Sequence, residues 1–511
     1  MSAIVAAHGP FDDERGARML ERMRHRGPDG GEVRRGDGWW LGTQRLAIVA
    51  PDASPMTGTI DGDAQLWLAG DGQIYNHRRI RDRLGLEADG GARGDVSDLD
   101  AALRLFVREG AGAFEQLWGA FALVIAGSDG RFAAARDVLG IAPLYWARRG
   151  ETVLFASELK AFDEDWRADV EPFPPGHVWT PGTGLVEGPA LPGSGPVLLA
   201  SRDPREDPPE WVFDALRETL VRAVSQSLDV AAPAGVLLSG GVDSSIVTAI
   251  AARIVRERGS CLPSFAVGMA GSRDLLAARE VAEHVGTDHH ELIYTAEDAI
   301  ALVPRVISEL ESFDPTLVHS AVPHHLVAEL AAEHVEVVLA GEGADELFAG
   351  YTHFGLHESG DELHGELVET LAGMHIGGLQ RVDRVAAAHG VEPRMPFLDL
   401  DFVELAMAIP PEWKMLREGR PAKWLLRRAF DGWLPDGVLW RRKEQFGQGT
   451  GMNTVLREHY GALVEAEDLQ RESSRVAPPL RTREELAYYR IFAAALPGID
   501  AARNVGRFIE A

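Results

Sequence analysis

Residues 236–247 run Val-Leu-Leu-Ser-Gly-Gly-Val-Asp-Ser-Ser-Ile-Val: a short apolar strand, two glycines, an acid and two hydroxyls. Glycines let a backbone turn sharply and present successive N–H groups, and a helix N-terminus adds partial positive charge. An apolar-periodic helix is expected from Ile246 to about Val255. Ser239, Gly240, Gly241, Asp243, Ser244 and Ser245 therefore read as a loop built to hold phosphate or pyrophosphate. The Walker spacing and its lysine are absent, so the loop is of another kind.

A second expected strand, Val335–Leu339, ends in Ala-Gly-Glu-Gly-Ala-Asp-Glu-Leu-Phe-Ala-Gly-Tyr. Asp243 and Asp345 each follow a strand end. Together they suit Mg²⁺ held against a triphosphate, because hard cations take carboxylate and phosphate oxygens. Glu342, between two glycines, is a candidate general base for an attacking nitrogen. A third segment, Trp440-Arg-Arg-Lys-Glu-Gln-Phe-Gly447, is rich in cations. Transferring phosphoryl groups need fixed positive charge, which makes Lys443 a candidate stabiliser, although a basic run alone is usually a solvated face.

The elements that position these residues fall into two textures. Residues 1–180 alternate short β-like runs (Leu66–Ala69, Ala120–Ile125, Phe132–Ala135, Val153–Ala156) with helices near Asp13–Met23, His77–Leu84 and Asp98–Glu109, a sheet-rich α+β pattern. A breaker-rich linker follows over 186–208. From Trp211, helices (Trp211–Ser227, Leu275–Val285, Asp298–Glu311, Ala321–His334) alternate with strands at Gly235–Leu238, Ser264–Val267 and Val335–Leu339. That alternation implies a parallel sheet with ligands at the strands' C-terminal ends. Beyond about 365 the pattern is mostly helical. The expected division is 1–185, 186–208 and 209–511.

With 511 residues the chain is long enough for two or three domains. Its net charge of −27 disfavours nucleic acid and anionic membrane as partners. The single cysteine, Cys261, excludes an internal disulfide and is expected to be a buried small residue; with no signal-like or spanning segment, a cytoplasmic protein is expected.

The three segments together resemble the synthetase half of glutamine-dependent asparagine synthetases. The likeness extends through Glu311-Ser-Phe-Asp-Pro-Thr316, Val391-Glu-Pro-Arg-Met-Pro-Phe-Leu-Asp399 and Lys443-Glu-Gln-Phe446. The N-terminal half resembles that family's class II glutaminase domain through His25-Arg-Gly-Pro-Asp-Gly30, Gln44-Arg-Leu46, Ile74-Tyr-Asn76, Ser97-Asp98, Ala135-Arg-Asp137, Leu139–Tyr145 and Phe155–Lys160. The resemblance covers essentially the whole chain. It implies a class II glutaminase-like (Ntn-type) sheet sandwich and an α/β pyrophosphate-loop domain, of the adenine nucleotide α-hydrolase-like kind, with a helical C-terminal part. It also implies ATP with Mg²⁺, adenylation of a carboxylate, and displacement of AMP by a nitrogen nucleophile. By that resemblance the Ser239–Ser245 loop holds pyrophosphate, and Leu237, Val267 and Gly341 line the AMP pocket. Asp243 and Asp345 hold the metal, Glu342 is the catalytic glutamate and Lys443 the pyrophosphate-side lysine.

The sequence departs from the family at two sites, the glutamine site and the acid site. The family begins Met-Cys-Gly-Ile, whereas this chain begins Met1-Ser2-Ala3-Ile4, and a thiolate is far the better nucleophile. The family's Asn-Gly-Glu-Ile-Tyr-Asn is here Asp71-Gly72-Gln73-Ile74-Tyr75-Asn76; an ionised Asp71 would repel an oxyanion that asparagine stabilises by roughly 3 kcal/mol. Arg45 and Asp98 still match glutamine-gripping positions. A glutaminase that has lost its activity, with Ser2, Arg45, Asp71, Gly72 and Asp98 as a vestigial site, is therefore expected. The family's aspartate-contacting Thr-Thr-Ile-Arg-Ala-Ser is here Thr316-Leu317-Val318-His319-Ser320-Ala321, and histidine does not replace arginine's fork.

The expected activity is an AMP- and pyrophosphate-forming amide synthetase acting on aspartate or a larger acid, as in specialised metabolism. Its nitrogen would come from ammonia or another amine, with a separate glutaminase or a second copy of the chain as protein partner. The alternatives are a conventional glutamine-dependent asparagine synthetase using Ser2, and a non-catalytic scaffold.

Overall fold

The computed structural model describes residues 1–86, 97–194, 207–441 and 452–508. Two six-stranded antiparallel sheets make up the N-terminal half. The first runs Val170–Pro172, Tyr145–Arg149, Thr152–Ala156, Ser2–His8, Trp39–Arg45, Gly30–Gly36 from edge to edge. The second runs Gly184–Glu187, His177–Thr180, Phe132–Arg136, Gly119–Gly127, Ala64–Ile74, Thr57–Asp61.

Strand side chains alternate between faces, and that alternation builds four layers. Ile4, Ala6 and Leu41 of the first sheet pack against Ala122, Val124 and Ala126 of the second. Ala3, Val5 and Ala7 turn outward onto Met19 and Leu20 of the Asp13–Glu21 helix. Leu123 and Ile125 turn onto Ala101, Leu105 and Phe106 of the Asp98–Glu109 helix. The sheet-rich α+β expectation holds, and the helices His77–Leu84 and Asp98–Glu109 coincide with those expected. Ser2–His8, by contrast, has the look of a short apolar run in the sequence. It is a central strand, apolar on both faces because layers cover both.

The C-terminal half is built on a five-stranded parallel sheet in the order Asp288–Ile293, Pro263–Gly268, Ala234–Leu237, Val337–Leu339, Glu392–Arg394. The three central strands follow the apolar runs of the sequence. The two outer ones do not: Asp288–Ile293 opens with four polar residues, and Glu392–Arg394 is three residues with a proline in the middle. Helices Glu210–Ser227, Val242–Glu257, Arg273–Val285 and Pro315–Ala332 flank the sheet, and beyond 400 the described residues are helical or irregular. The Val242–Glu257 helix starts four residues before the expected Ile246, so the loop's acid and hydroxyls sit in its first turn. The helix expected over Ala321–His334 starts at Pro315, capped by Asp314. Cys261 is exposed rather than buried. Among the described residues no helix is long and apolar enough to cross a membrane.

Buried ionic contacts join the halves. Glu311, fully buried, accepts the backbone N–H groups of Leu159 (3.0 Å) and Lys160 (2.7 Å) through its two oxygens. Arg26, also fully buried, donates to Glu158 at 3.0 Å and to both oxygens of Asp383 at 2.7 and 2.9 Å. Removing one partner from a buried pair of this kind costs about 3–5 kcal/mol.

Candidate active site

The Ala234–Leu237 strand delivers the chain to Ser239 and two glycines. Gly240 has φ +72°, and a Cβ there would stand 2.7 Å from Ala277 Cβ, so glycine alone lets the turn lie on the Arg273–Val285 helix. The turn is internally braced. The Ser239 N–H donates to Ser244 Oγ at 3.2 Å, the two hydroxyls meet at 3.0 Å, and Ser244 Oγ donates to Gly241 O at 3.2 Å. At the next strand end, a Cβ on Gly341 would lie 2.8 Å from Ser244 N. The second glycine-rich segment can therefore close against the first helix's N-terminus only because residue 341 has no side chain.

These strand ends open into a cavity of about 890 Å³. Its wall includes Leu237, Ser239, Gly241, Asp243, Ser244, Val267, Thr316, Leu317, His319, Gly341, Glu342 and Asp345. The structure thus gathers the residues assigned to nucleotide, metal, base and acid into one space. Gly240 and Ser245 stand behind that wall, Gly240 shaping the turn and Ser245 fully buried. Lys443 lies outside the described residues.

The central charge of the cavity is a residue that the motifs did not flag. Lys423 Nζ lies between Asp243 and Asp345, in contact with Asp243 Oδ2 and 2.7 Å from Asp345 Oδ1. It is only 2% exposed, and the two carboxylates hold its proton more firmly than an ordinary lysine's. In the sequence it sits in Pro-Ala-Lys-Trp, which looks like a solvated helix start. Gly350 makes room for this arrangement, since a Cβ there would fall 1.8 Å from Asp345 Oδ1. Next to it Glu346, buried beside Asp345, is pushed up to about 7 and accepts from Tyr351 OH at 2.6 Å. Glu342 Oε1 takes a guanidinium N–H of Arg381, which comes from the Gly378–Ala387 helix.

Thr316, Leu317 and His319 occupy the first turns of the Pro315–Ala332 helix, where Asp314 caps Leu317 N at 3.2 Å. His319 does not stand ready for a carboxylate. Its Nε2 lies 2.6 Å from Glu484 Oε1, both side chains are buried, and Tyr488 OH donates to the same oxygen at 2.9 Å. No sequence signal exposed Glu484, which sits in an ordinary acidic first turn of the Arg483–Ala495 helix.

In the N-terminal half Ser2 pairs with Arg45 across adjacent strands, and the Ser2 N–H donates to Asp71 Oδ1 at 2.7 Å. Asp71 Oδ2 accepts from Arg26 at 2.8 Å, while Arg26 Nε donates to Ser2 O at 2.9 Å. Burial pushes Asp71 up, and Arg26 and the Ser2 N–H pull it back. Gly72, at φ +103°, packs a Cβ position 1.9 Å from Ala120 O, which only glycine tolerates. Asp98 accepts the Ile74 N–H at 2.6 Å and is pushed up to about 6 by burial. Arg45 donates to the carbonyls of Val49 (2.6 Å), Ala50 (2.7 Å) and Ala53, so it folds the 49–53 loop. The five residues expected at a glutamine site are thus placed on neighbouring strands and the helix after them. Arg26, visible in the sequence only as part of the His-Arg-Gly-Pro motif, ties Ser2 and Asp71 together.

Residues 215–361 and 355–498 match the asparagine synthase family, and residues 1–173 match the glutamine amidotransferase domain family. The chain is 36% identical to asparagine synthetase 3 (glutamine-hydrolyzing) of Arabidopsis thaliana over 99% of its own length and 89% of the relative's. It is 36% identical to the asparagine synthetase (glutamine-hydrolyzing) of Sandersonia aurantiaca over 98% and 97%. Among solved structures, the allosteric regulatory enzyme of purine biosynthesis superposes with a TM-score of 0.32 at 15% identity, covering 57% of this chain and 80% of that one.

Proposed function

The chain belongs to the asparagine synthetase family of ATP-using carbon–nitrogen ligases, and we propose that it converts aspartate to asparagine with nitrogen from glutamine. The observation that carries this reading is the single cavity joining the phosphate loop, two metal-suited carboxylates and Glu342, in a chain that matches glutamine-hydrolyzing relatives from end to end. In this reading residues 1–185 release ammonia and 209–511 use it, across the linker 186–208.

Each residue has a stated task. The bracing of the Ser239–Ser244 turn sets the shape of the phosphate site, and the helix N-terminus behind it presents N–H donors to the triphosphate. Leu237 and Val267 supply the apolar wall for the adenosine. Asp243 and Asp345 fit Mg²⁺, because two carboxylate oxygens at a phosphate site leave the remaining positions to phosphate and water. Bound there, Mg²⁺ would neutralise charge on the departing pyrophosphate. Lys423 holds the two carboxylates in place, and Lys443 assists on the pyrophosphate side. Once the acyl adenylate exists, a nitrogen lone pair attacks its carbonyl carbon. The C–O bond to AMP breaks, and Glu342 takes the surplus proton from nitrogen. Ser2 is the nucleophile towards glutamine, with Arg45 and Asp98 as its binding groups.

One observation favours a second reading for the nitrogen source. Both Asp71 oxygens accept hydrogen bonds, so this side chain offers no donor to an oxyanion. That suits an enzyme using ammonia directly, with residues 1–185 as a scaffold. Pyrophosphate and asparagine formation from aspartate and ATP–Mg²⁺, with glutamine or ammonium supplied in turn, test both. Formation with glutamine, lost in Ser2→Ala, supports the first; formation with ammonium alone supports the second. No aspartate-dependent pyrophosphate with either donor would sink the shared premise.

A further inference from the structure

Aspartate carries two carboxylates, one to be adenylated and one to be recognised, and recognition needs a cation with open donors. The following rests on the aspartate reading above. Among the described residues, the other lysine and arginine side chains lining the cavity already hold partners. Lys423 is held by Asp243 and Asp345. Arg441 pairs with Asp274 at 2.8 Å, and Arg427 donates to the carbonyls of Ala422 and Leu439. Of the histidines, His319 meets Glu484 through Nε2.

Arg381 differs. One of its terminal nitrogens meets Glu342, while its Nε is buried and has no hydrogen-bond partner among the described residues. A guanidinium with Nε and a terminal N–H on one edge is the fork that binds a carboxylate through two bonds. Its place is also fixed. The helix that carries it starts at Gly378, where a Cβ would come within 3.5 Å of Glu342 Oε2, so the helix N-terminus closes over that carboxylate. Two residues on, Asp383 is locked by Arg26 and Arg384.

We infer that Arg381 is the specificity-determining receptor for the carboxylate of the acid that does not react, and that Glu342 occupies its fork until the acid arrives. Binding of the acid exchanges one carboxylate for another on Arg381. Glu342 is then released beside the reaction centre, so the base becomes available only when there is an acid to amidate. This assigns to the Gly378–Ala387 helix the task that the family resemblance implies for the position of residue 319.

The test uses the full-length protein, aspartate, and 3-aminopropanoate, which is aspartate without its α-carboxylate. Initial rates of pyrophosphate release at saturating ATP–Mg²⁺ give KM for each acid in wild type, R381Q and R381K. R381Q should raise the aspartate KM by ~100-fold and leave the ATP KM within about twofold. It should also abolish the preference for aspartate over 3-aminopropanoate, and R381K should restore only part of each. E342Q, which weakens the competing contact, should bind aspartate more tightly in equilibrium dialysis while turnover falls. An R381Q enzyme that folds, binds ATP normally and keeps either its aspartate KM or its preference overturns the inference and leaves the aspartate reading standing. A wild type that releases no pyrophosphate with aspartate overturns both.

Discussion

Asp71 Oδ1 accepts the backbone N–H of Ser2 at 2.7 Å, so the residue that would polarise a glutamine carbonyl is instead bound to the nucleophile's own main chain. Arg26 fills the other oxygen. An asparagine there would keep an acceptor for Ser2 and gain an N–H that Arg26, itself a donor, cannot take, leaving it to an oxyanion. One such donor is worth about 10²–10³ in rate. Asp71→Asn should therefore raise glutamate release from glutamine at least tenfold, while Arg26 keeps its bonds to Glu158 and Asp383. Unchanged release would mean that the Ser2 hydroxyl, and not the missing donor, sets the rate.

The second prediction concerns pH. Burial pushes the Asp98 carboxyl up to about 6, above the value near 4 of an exposed aspartate. If Asp98 holds the ammonium of glutamine, it must be ionised to do so. The KM for glutamine should then fall as pH rises from 5 to about 6 and level off above 7; a profile flat from pH 5 to 8 would remove Asp98 from the site. Stability moves the opposite way. A carboxyl whose folded value is raised takes up its proton in the folded state first. Its stabilising contribution is complete below about pH 4 and lost as pH rises through 6. Asp98→Asn, which keeps an acceptor for Ile74, should be more stable than wild type well above pH 6 by about 3 kcal/mol in urea unfolding and level with it at pH 4.

Much of the cavity was legible because its chemistry is local. A glycine-rich turn between a strand and a helix declares itself in consecutive residues, so Ser239–Ser244 and Gly341–Asp345 could be placed before any fold was known. What was not legible depends on distant pairing. Lys423 is some 180 positions from Asp243, Glu484 is 165 from His319, and Asp383 is 357 from Arg26. No periodicity connects such residues. His319 could be recognised as a change from arginine, yet what it does instead is decided by a helix near the other end of the chain. The strands that escaped notice failed for a related reason. Ser2–His8 is buried on both faces and loses its alternation, while Glu392–Arg394 is defined by its neighbour Val337–Leu339 rather than by its own residues.

The Lys423 contact predicts how the metal carboxylates behave without it. Lys423→Met removes the ammonium that Asp243 and Asp345 share, which should cost about 3 kcal/mol of stability. Those carboxylates then become a better site for a divalent ion, because the competing ammonium is gone. Mg²⁺ without nucleotide should raise the melting temperature of the variant more than that of wild type, since a ligand bound to the native state alone stabilises it. An equal shift in both proteins would place Mg²⁺ elsewhere. Pyrophosphate release by the variant should fall at least 100-fold, as the cavity loses one of its fixed positive charges.

The final prediction concerns the His319–Glu484 pair. Glu484 lies 2.6 Å behind His319 and is held by Tyr488, so a buried carboxylate stands one residue behind the cavity wall. If aspartate binds beside His319 as proposed, its two carboxylates feel that charge across the imidazole. At an effective dielectric near 20, two unit charges ~8 Å apart interact by about 2 kcal/mol. Glu484→Gln keeps the shape of the side chain and an oxygen acceptor for Tyr488 while removing the charge. The KM for aspartate should fall several-fold in this variant, and the KM for 3-aminopropanoate, with one negative charge fewer, should change less. Should Glu484→Gln instead raise the aspartate KM, Glu484 would be acting to orient His319 towards the substrate. His319→Gln separates these two arrangements, because it weakens aspartate binding only if that imidazole meets the substrate.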